Sequence, residues 1–351
     1  MENVKVLAVI PAYNSAQYIE RTIFSILKQD YSALDILVID DCSSDNTLEI
    51  LERYKGDIQI LRNDSNLGFS YSLNRAIPLA KDAKAEFIFI LEDDTELIDS
   101  DYITRGLDHF TNENVALVCG QAVDFNSNRL SLAKRAFARY LNLDYQENKP
   151  TIVSYSILKS DLIRVEALES VGGFGFAGNP KLGAEDQILG KALRDKGMTL
   201  IKDNSLRYRL DFARTGTLLK CLKSERNAGW TVGAAVSQGI ININPVDSAE
   251  TRKKVNFRRG QVISVLLICA SFILFAFSYR IALAVIPGLI ALRCIYYLSR
   301  SKGFRYREKP YFAGVGILND YNFSIPFYLG VIAGIWDKVL DKIIRKTQAE
   351  P

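Results

Sequence analysis

Histidine is almost missing from this chain: His109 is the one imidazole in 351 residues. Catalysis by histidine bases has almost no material to work with, so the chemistry should rest on carboxylates. Paired cysteines are lacking too. Cys42, Cys119, Cys221, Cys269 and Cys294 are widely spread and two lie inside long apolar runs. That pattern argues against a disulfide framework and a zinc site and fits a reducing, cytosolic setting. Nor does the start read as a signal peptide. MENVKVLAVIPAYN has an acid at position 2 and an apolar run cut short by Pro11, so the main domain is expected in the cytosol. Strong charge of either sign is absent as well. The net charge is +4, with most of the basic excess after Lys220, and nucleic acid is not an expected partner.

What is present, at 48% hydrophobic residues, is enough for one catalytic-sized domain plus an appendage. Strand and helix patterns alternate over the first hundred residues. Val4 to Ile10 is a short apolar run, as expected of a strand buried on both faces of a parallel sheet. Tyr18 to Lys28 carries Ile19, Ile23, Ile26 and Leu27 at helical spacing. Strands are expected at Ile36–Ile39, Ile58–Leu61, Phe87–Leu91 and Val115–Cys119, with helices at 46–54, where Asp45 can act as a cap, and 69–80. This order predicts an α/β fold, a doubly wound and mostly parallel sheet whose ligands bind beyond the carboxyl ends of the strands. PAYN, DDCSSD and EDDT then share one rim. Further on, Ile152–Leu158 reads as a strand leading into GGFGFAGNPKLGAED, a glycine-rich loop or series of turns.

The character changes after Arg252. Val262–Phe277 and Ile281–Leu292, the latter extended to Leu298 across Arg293, are apolar runs slightly short of the roughly 20 residues of a membrane span. Basic clusters lie on both sides of the pair, which predicts a transmembrane hairpin with both ends in the cytosol and its outer turn at Ser278–Arg280. Ile325–Trp336 reads as an interfacial amphipathic helix, and Leu218–Gly229 as a helix lying against lipid headgroups or an ordinary surface helix. The expected organisation is a catalytic domain at 1–211, juxtamembrane helices at 212–259, the hairpin at 260–299 and a cytosolic return at 300–351. The protein is thus expected at the cell membrane, in contact with its lipids, with the catalytic domain cytoplasmic.

FIFILEDDTEL runs a buried strand straight into Glu92, Asp93 and Asp94. Adjacent acids repel one another unless something positive compensates. A hard cation held by one or two carboxylates and the phosphates of a substrate meets that need.

These motifs carry a resemblance. VIPAYNSAQYIERTIFSILKQDY, ILVIDDCSSDNTLEIL, NLGFSYSLNRAI, FIFILEDDTEL and GGFGF…GAED, in this order over about residues 4–200, resemble family 2 glycosyltransferases of the GT-A fold, membrane-associated enzymes that build lipid-linked saccharides or cell-surface polysaccharide. The resemblance implies a nucleotide-sugar donor, a UDP-sugar above all, and a Mn²⁺ or Mg²⁺ ion. It places Pro11, Ala12, Tyr13, Asp40, Asp41, Asn66, Gly68 and Asp93 around the nucleotide, with Tyr13 on the base. It makes Asp94 the direct metal ligand, with Glu92 beside it or at the ribose, and Asp186 the general base. Gly183 and Glu185 fall on the acceptor side. Acids at the start of the helical pattern Ile188–Leu193 are also what the helix dipole favours.

Glu92 stands where many members have Asp, and Leu73 where many have Arg. Where many place a further histidine ligand, RYRLDFARTG offers Asp211. QxxRW, carried by processive synthases, is absent, which favours single addition. The expected acceptor is a lipid-linked saccharide, such as one on polyprenyl diphosphate. A polyprenyl-phosphate monosaccharide synthase and a non-catalytic nucleotide-sugar-binding scaffold remain the alternatives.

Overall fold

The computed structural model describes residues 4–123, 149–175, 185–210 and 279–299, together with scattered positions elsewhere. In chain order the elements are β1 (Val6–Ala12), α1 (Ile19–Leu27), β2 (Leu34–Asp40), α2 (Thr47–Glu52), β3 (Gln59–Arg62), α3 (Phe69–Asp82), β4 (Phe87–Leu91) and β5 (Thr95–Leu97). There follow α4 (Tyr102–Asp108), β6 (Val115–Ala122), β7 (Thr151–Ile152), β8 (Ser160–Arg164), α5 (Val165–Ser170), α6 (Glu185–Asp195), β9 (Thr199–Leu210) and α7 (Tyr279–Ser299).

The strands form one sheet in the order β3-β2-β1-β4-β8-β6-β9-β5, with β7 pairing β9. The block β3-β2-β1-β4 is parallel. β8 runs antiparallel between β4 and β6, and β9 returns parallel to β6. Alternate residues of each central strand feed opposite faces. Val6, Ala8 and Ile10 of β1 pack with Ile19, Ile23 and Ile26 of α1 and with Tyr102 and Leu107 of α4. Leu7 and Val9 pack on the other side with Leu73 and Ala76 of α3, Leu168 of α5 and Leu189 of α6. Helices therefore cover both faces, as the continuous apolar runs of the buried strands require.

Three expectations need adjusting. β1 continues through Pro11 to Ala12, because its pairing with β4 stops at Val9↔Ile90 while that with β2 continues to Ala12↔Asp40. The donor that Pro11 lacks is thus on the side where no ladder remains. The strand expected over Ile152–Leu158 is only Thr151–Ile152, and the real partner of β4 is the following segment, β8. Finally, Tyr279 and Arg280 belong to α7 rather than to a turn.

Among the described residues no helix is long and apolar enough to cross a membrane. In α7, Arg293 donates to both carboxylate oxygens of Asp320, each at 2.8 Å, and to the Tyr297 hydroxyl at 2.9 Å. Most of the expected first span, Val262–Phe277, and of the stretches 218–229 and 325–336 lies outside the described residues.

Candidate active site

The carboxyl ends of β1, β2 and β4 lie side by side, and the chain leaving each of them builds the site. Past β1, Tyr13 stands 43% exposed at the rim. Asn14 and Cys42, each two residues beyond the ends of β1 and β2, take left-handed backbone conformations, with φ of 51° and 61°. Such strain persists only where the surroundings over-determine it. Here the Asn14 N–H donates to Ser43 Oγ at 2.9 Å, and Ser44 N–H donates to Asn14 Oδ1 at 2.9 Å, stitching the two loops together.

Asp41 is the centre of the second loop. Its Oδ1 accepts from Asn63 Nδ2 at 2.6 Å and from Leu67 N–H at 2.9 Å, and its Oδ2 from Gly68 N–H at 2.8 Å. A carboxylate has about four acceptor sites, so one remains for a ligand. Gly68 adopts φ 90°, ψ 168° at the start of α3, where a side chain is strained, and so lets the chain bend over Asp41. Asn66 is exposed on the same loop. Asp40 behaves differently. It is fully buried, accepts Ser43 N–H at 3.1 Å and faces Arg62 Nε at 3.2 Å, so it braces the loop from within. Asp45 takes the Thr47 N–H at 3.0 Å and the Ala16 N–H at 3.2 Å from one position before the N-cap of α2, which is Asn46 rather than the expected Asp45.

The acids after β4 divide their work. Asp93 is 2% exposed; it accepts the Ser15 hydroxyl and, at 3.4 Å, the Tyr13 N–H. It holds the β1 loop in place rather than facing the rim. Glu92 is paired with Lys159, whose ammonium also lies 3.7 Å from Asp94 Oδ1. The positive charge that the acidic run demands is therefore supplied, within this chain, by Lys159. Burial lifts the Glu92 carboxyl to about 7 over the opposing pull of Lys159, with Asp94 and Asp93 adding to the rise. For Lys159, burial is outweighed by Glu92 and Asp94, which hold it protonated beyond the ordinary lysine range.

Asp94 Oδ1 is buried and accepts no hydrogen bond. Among the described residues no group of three or more His, Cys, Asp or Glu side chains could hold a metal. The donor set therefore fits a cation shared between Asp94 and a ligand's phosphates, and does not fit a metal caged by protein alone. Asp211 and Gly183 lie outside the described residues. The register does place the end of β9 beside the acidic run, since Leu210 pairs with Thr95.

Glu185 and Asp186 open α6, and Asp186 Oδ1 accepts the Gln187 N–H at 2.8 Å. The helix is seated closely. A Cβ on Gly190 would meet the Ser154 carbonyl oxygen at 2.4 Å, and Arg194 Nε donates to that same oxygen at 3.1 Å. Asp161 of β8 is fully buried with an unpaired Oδ1. Burial lifts it to about 7 against a hydrogen bond from Ser156, and the charge of Asp186 adds to the rise. Asn74 of α3 and Phe174 exchange two hydrogen bonds, with Phe174 N–H donating to Asn74 Oδ1 at 2.7 Å, which ties the glycine-rich turn to the nucleotide side.

Residues 7–172 match the Glycosyl transferase family 2 model. The matched stretch includes the carboxyl ends of β1, β2 and β4, which form the rim. Over 78 residues the chain is 47% identical to an uncharacterized glycosyltransferase of Haemophilus influenzae, covering 21% of this chain and 24% of that protein. Over 131 residues it is 30% identical to the UDP-Glc:alpha-D-GlcNAc-diphosphoundecaprenol beta-1,3-glucosyltransferase WfgD of Escherichia coli, covering 37% and 50%. The matches thus span half or less of these relatives' lengths. The mannosyltransferase PcManGT of Pyrobaculum calidifontis, solved with GDP-Man and Mn²⁺, superposes with a TM-score of 0.56 at 16% identity, covering 95% of this chain and 88% of that one. At that identity the likeness is one of fold, and it is the GT-A fold.

Lys159, Ser15, Asn63 and Asp161 escaped the reading of the sequence. Lys159 is 67 positions from Glu92. Only the antiparallel register of β8 on β4, Leu91↔Ser160, brings them together.

Proposed function

We propose that this protein is an inverting glycosyltransferase that moves one sugar from a nucleoside diphosphate donor, a UDP-sugar above all, to a saccharide held in the membrane on a polyprenyl diphosphate. The observation that carries the reading is the meeting of Tyr13, Asp41 and Asp94 at the adjacent ends of β1, β2 and β4. An aromatic face, an acceptor with one place left and a carboxylate oxygen that accepts no hydrogen bond suit a base, its polar edge and a metal diphosphate in turn. The name of the WfgD relative supports a UDP-sugar and a lipid diphosphate acceptor.

Asp186 takes the proton of the acceptor hydroxyl as that oxygen bonds to the anomeric carbon, and the bond to the diphosphate breaks with its electron pair leaving on phosphate. Single displacement inverts the configuration. Tyr13 and Asp41 orient the nucleotide, and α6, seated on Ser154, sets the height of Asp186. Asp94 would help to hold a divalent ion, whose positive charge would ease departure of the leaving group. The catalytic domain faces the cytoplasm, and the apolar residues exposed on α7, among them Leu292 at 64% and Ile295 at 62%, support contact with lipid.

The test is transfer by the full chain in vesicles, using labelled UDP-sugars and a polyprenyl-diphosphate saccharide. The product should carry inverted anomeric configuration, and Asp186→Asn should lose about 10²–10⁴-fold in kcat. Retained configuration, or an equal rate with a soluble saccharide, contradicts the proposal.

A further inference from the structure

The Lys159 contact deepens this reading and rests on it. We infer that Lys159 occupies the divalent cation's place until the donor arrives, so that Mn²⁺ enters only together with a diphosphate. Lys159 is built into position rather than lying there by chance. Leu158 before it takes a left-handed conformation, φ 53°. The Lys159 carbonyl accepts the Glu92 N–H at 3.1 Å, locking the start of β8 across the end of β4. Its side chain is 22% exposed, with the ammonium paired to Glu92 and 3.7 Å from Asp94 Oδ1.

The rest of the acidic run has little to offer a metal. Asp93 is turned to Ser15 and Tyr13, and Glu92 is held by the lysine. Within this run a free cation would find one carboxylate, Asp94, already facing a positive charge. At about 4 Å, a +1 charge opposes a +2 ion by more than a factor of ten even with the screening of bulk water. A diphosphate reverses the balance. It brings several negative oxygens, completes the oxygen set that a hard cation requires and gives the ammonium a new partner.

The experiment is titration of the full-length protein with Mn²⁺ alone and with Mn²⁺ plus UDP, following free Mn²⁺ by electron paramagnetic resonance. Wild type, Lys159→Met and Lys159→Arg are compared. The wild type should bind Mn²⁺ alone at least about 10-fold more weakly than with UDP. Lys159→Met should bind Mn²⁺ alone at least about 10-fold tighter than wild type, and Lys159→Arg should behave as wild type. A merely structural lysine gives no gain of metal affinity on removal. The inference is overturned if the methionine variant binds Mn²⁺ no tighter, if the arginine variant matches it, or if wild type binds Mn²⁺ equally well without UDP. That last comparison needs no variant to fold. Loss of UDP binding in every condition sinks the donor reading instead, while the Mn²⁺-alone comparison of variants still decides the role of the lysine.

Discussion

Replacing Asp41 by alanine removes the acceptor on which the loop from Asn63 to Gly68 closes. Three donors lose it: Asn63 Nδ2 at 2.6 Å, Leu67 N–H at 2.9 Å and Gly68 N–H at 2.8 Å. A hydrogen bond to a charged group contributes about 1.5–3 kcal/mol net. The three do not simply add. Leu67 is 46% exposed and Gly68 half-buried, so water takes over much of their bonding, while the Nδ2 of Asn63, a residue 2% exposed, keeps only Ser72 Oγ at 3.0 Å. One full bond and fractions of two others come to about 3 kcal/mol. For a domain of this size each kcal/mol lowers Tm by about 2–4 °C, so a fall of about 6–12 °C is expected. Asp41→Asn keeps one accepting oxygen but turns an NH₂ toward a donor, and should fall between the two. The assay is calorimetric melting of both variants, with urea unfolding to confirm an unchanged m-value. A Tm within about 2 °C of wild type for Asp41→Ala would refute the reasoning, since the loop would then be held by something else.

Other consequences are equally open to measurement. Hydrogen bonds from His109 and Ser205 outweigh burial and hold the Asp203 carboxyl at about 2, below its ordinary 3.8. A depressed carboxylate stabilises the fold above its unfolded pKa, and the contribution disappears as pH falls from about 4 to about 2. His109→Gln should therefore melt earlier at pH 5 and show a shallower acid loss; identical acid titrations would contradict this. Asp161 is raised instead, to about 7. The folded state then binds the extra proton, so stability falls as pH climbs from about 4 to about 7. Asp161→Asn should flatten that fall and be the more stable protein at pH 8 by urea unfolding, whereas a steeper decline would overturn the assignment. Gly190→Ala places a Cβ 2.4 Å from the Ser154 carbonyl oxygen. The expected cost is about 1–3 kcal/mol, with a loss of kcat as α6 and Asp186 shift; a neutral variant in both respects would show that the seating of α6 does not matter.

Much of this architecture was legible because buried parallel strands read as unbroken apolar runs. Val6–Ala12, Leu34–Asp40, Phe87–Leu91 and Val115–Ala122 all lie where such runs stand in the sequence. The strand β8 was hidden for the opposite reason. Ser160, Asp161 and Arg164 look like loop residues, yet Tyr102 satisfies Ser160 and Arg164 donates to the Phe110 and Val115 carbonyls. β9 carries Lys202, Asp203, Asn204, Arg207 and Arg209 along a twelve-residue strand near the sheet edge, where charge masks the alternation. At the site, the acids were visible as types but not as roles. Asp40 and Asp93 differ from Asp41 and Asp94 only by which way a neighbouring residue points, and that follows from pairing geometry rather than composition. The cation facing the acidic run was foreseen as a need. That Lys159 meets it depends on a register between β4 and β8 that no local pattern records.

The central claim is that Tyr13, Asp41 and Asp94 form a working nucleotide site, and calorimetric titration of UDP, GDP and dTDP with and without Mn²⁺, on wild type and Asp94→Ala, tests it most directly. The account predicts that UDP binds tightly only with Mn²⁺ and that Asp94→Ala loses this metal-dependent binding. No binding of any nucleotide under any condition, or metal-dependent binding undiminished in Asp94→Ala, would contradict it.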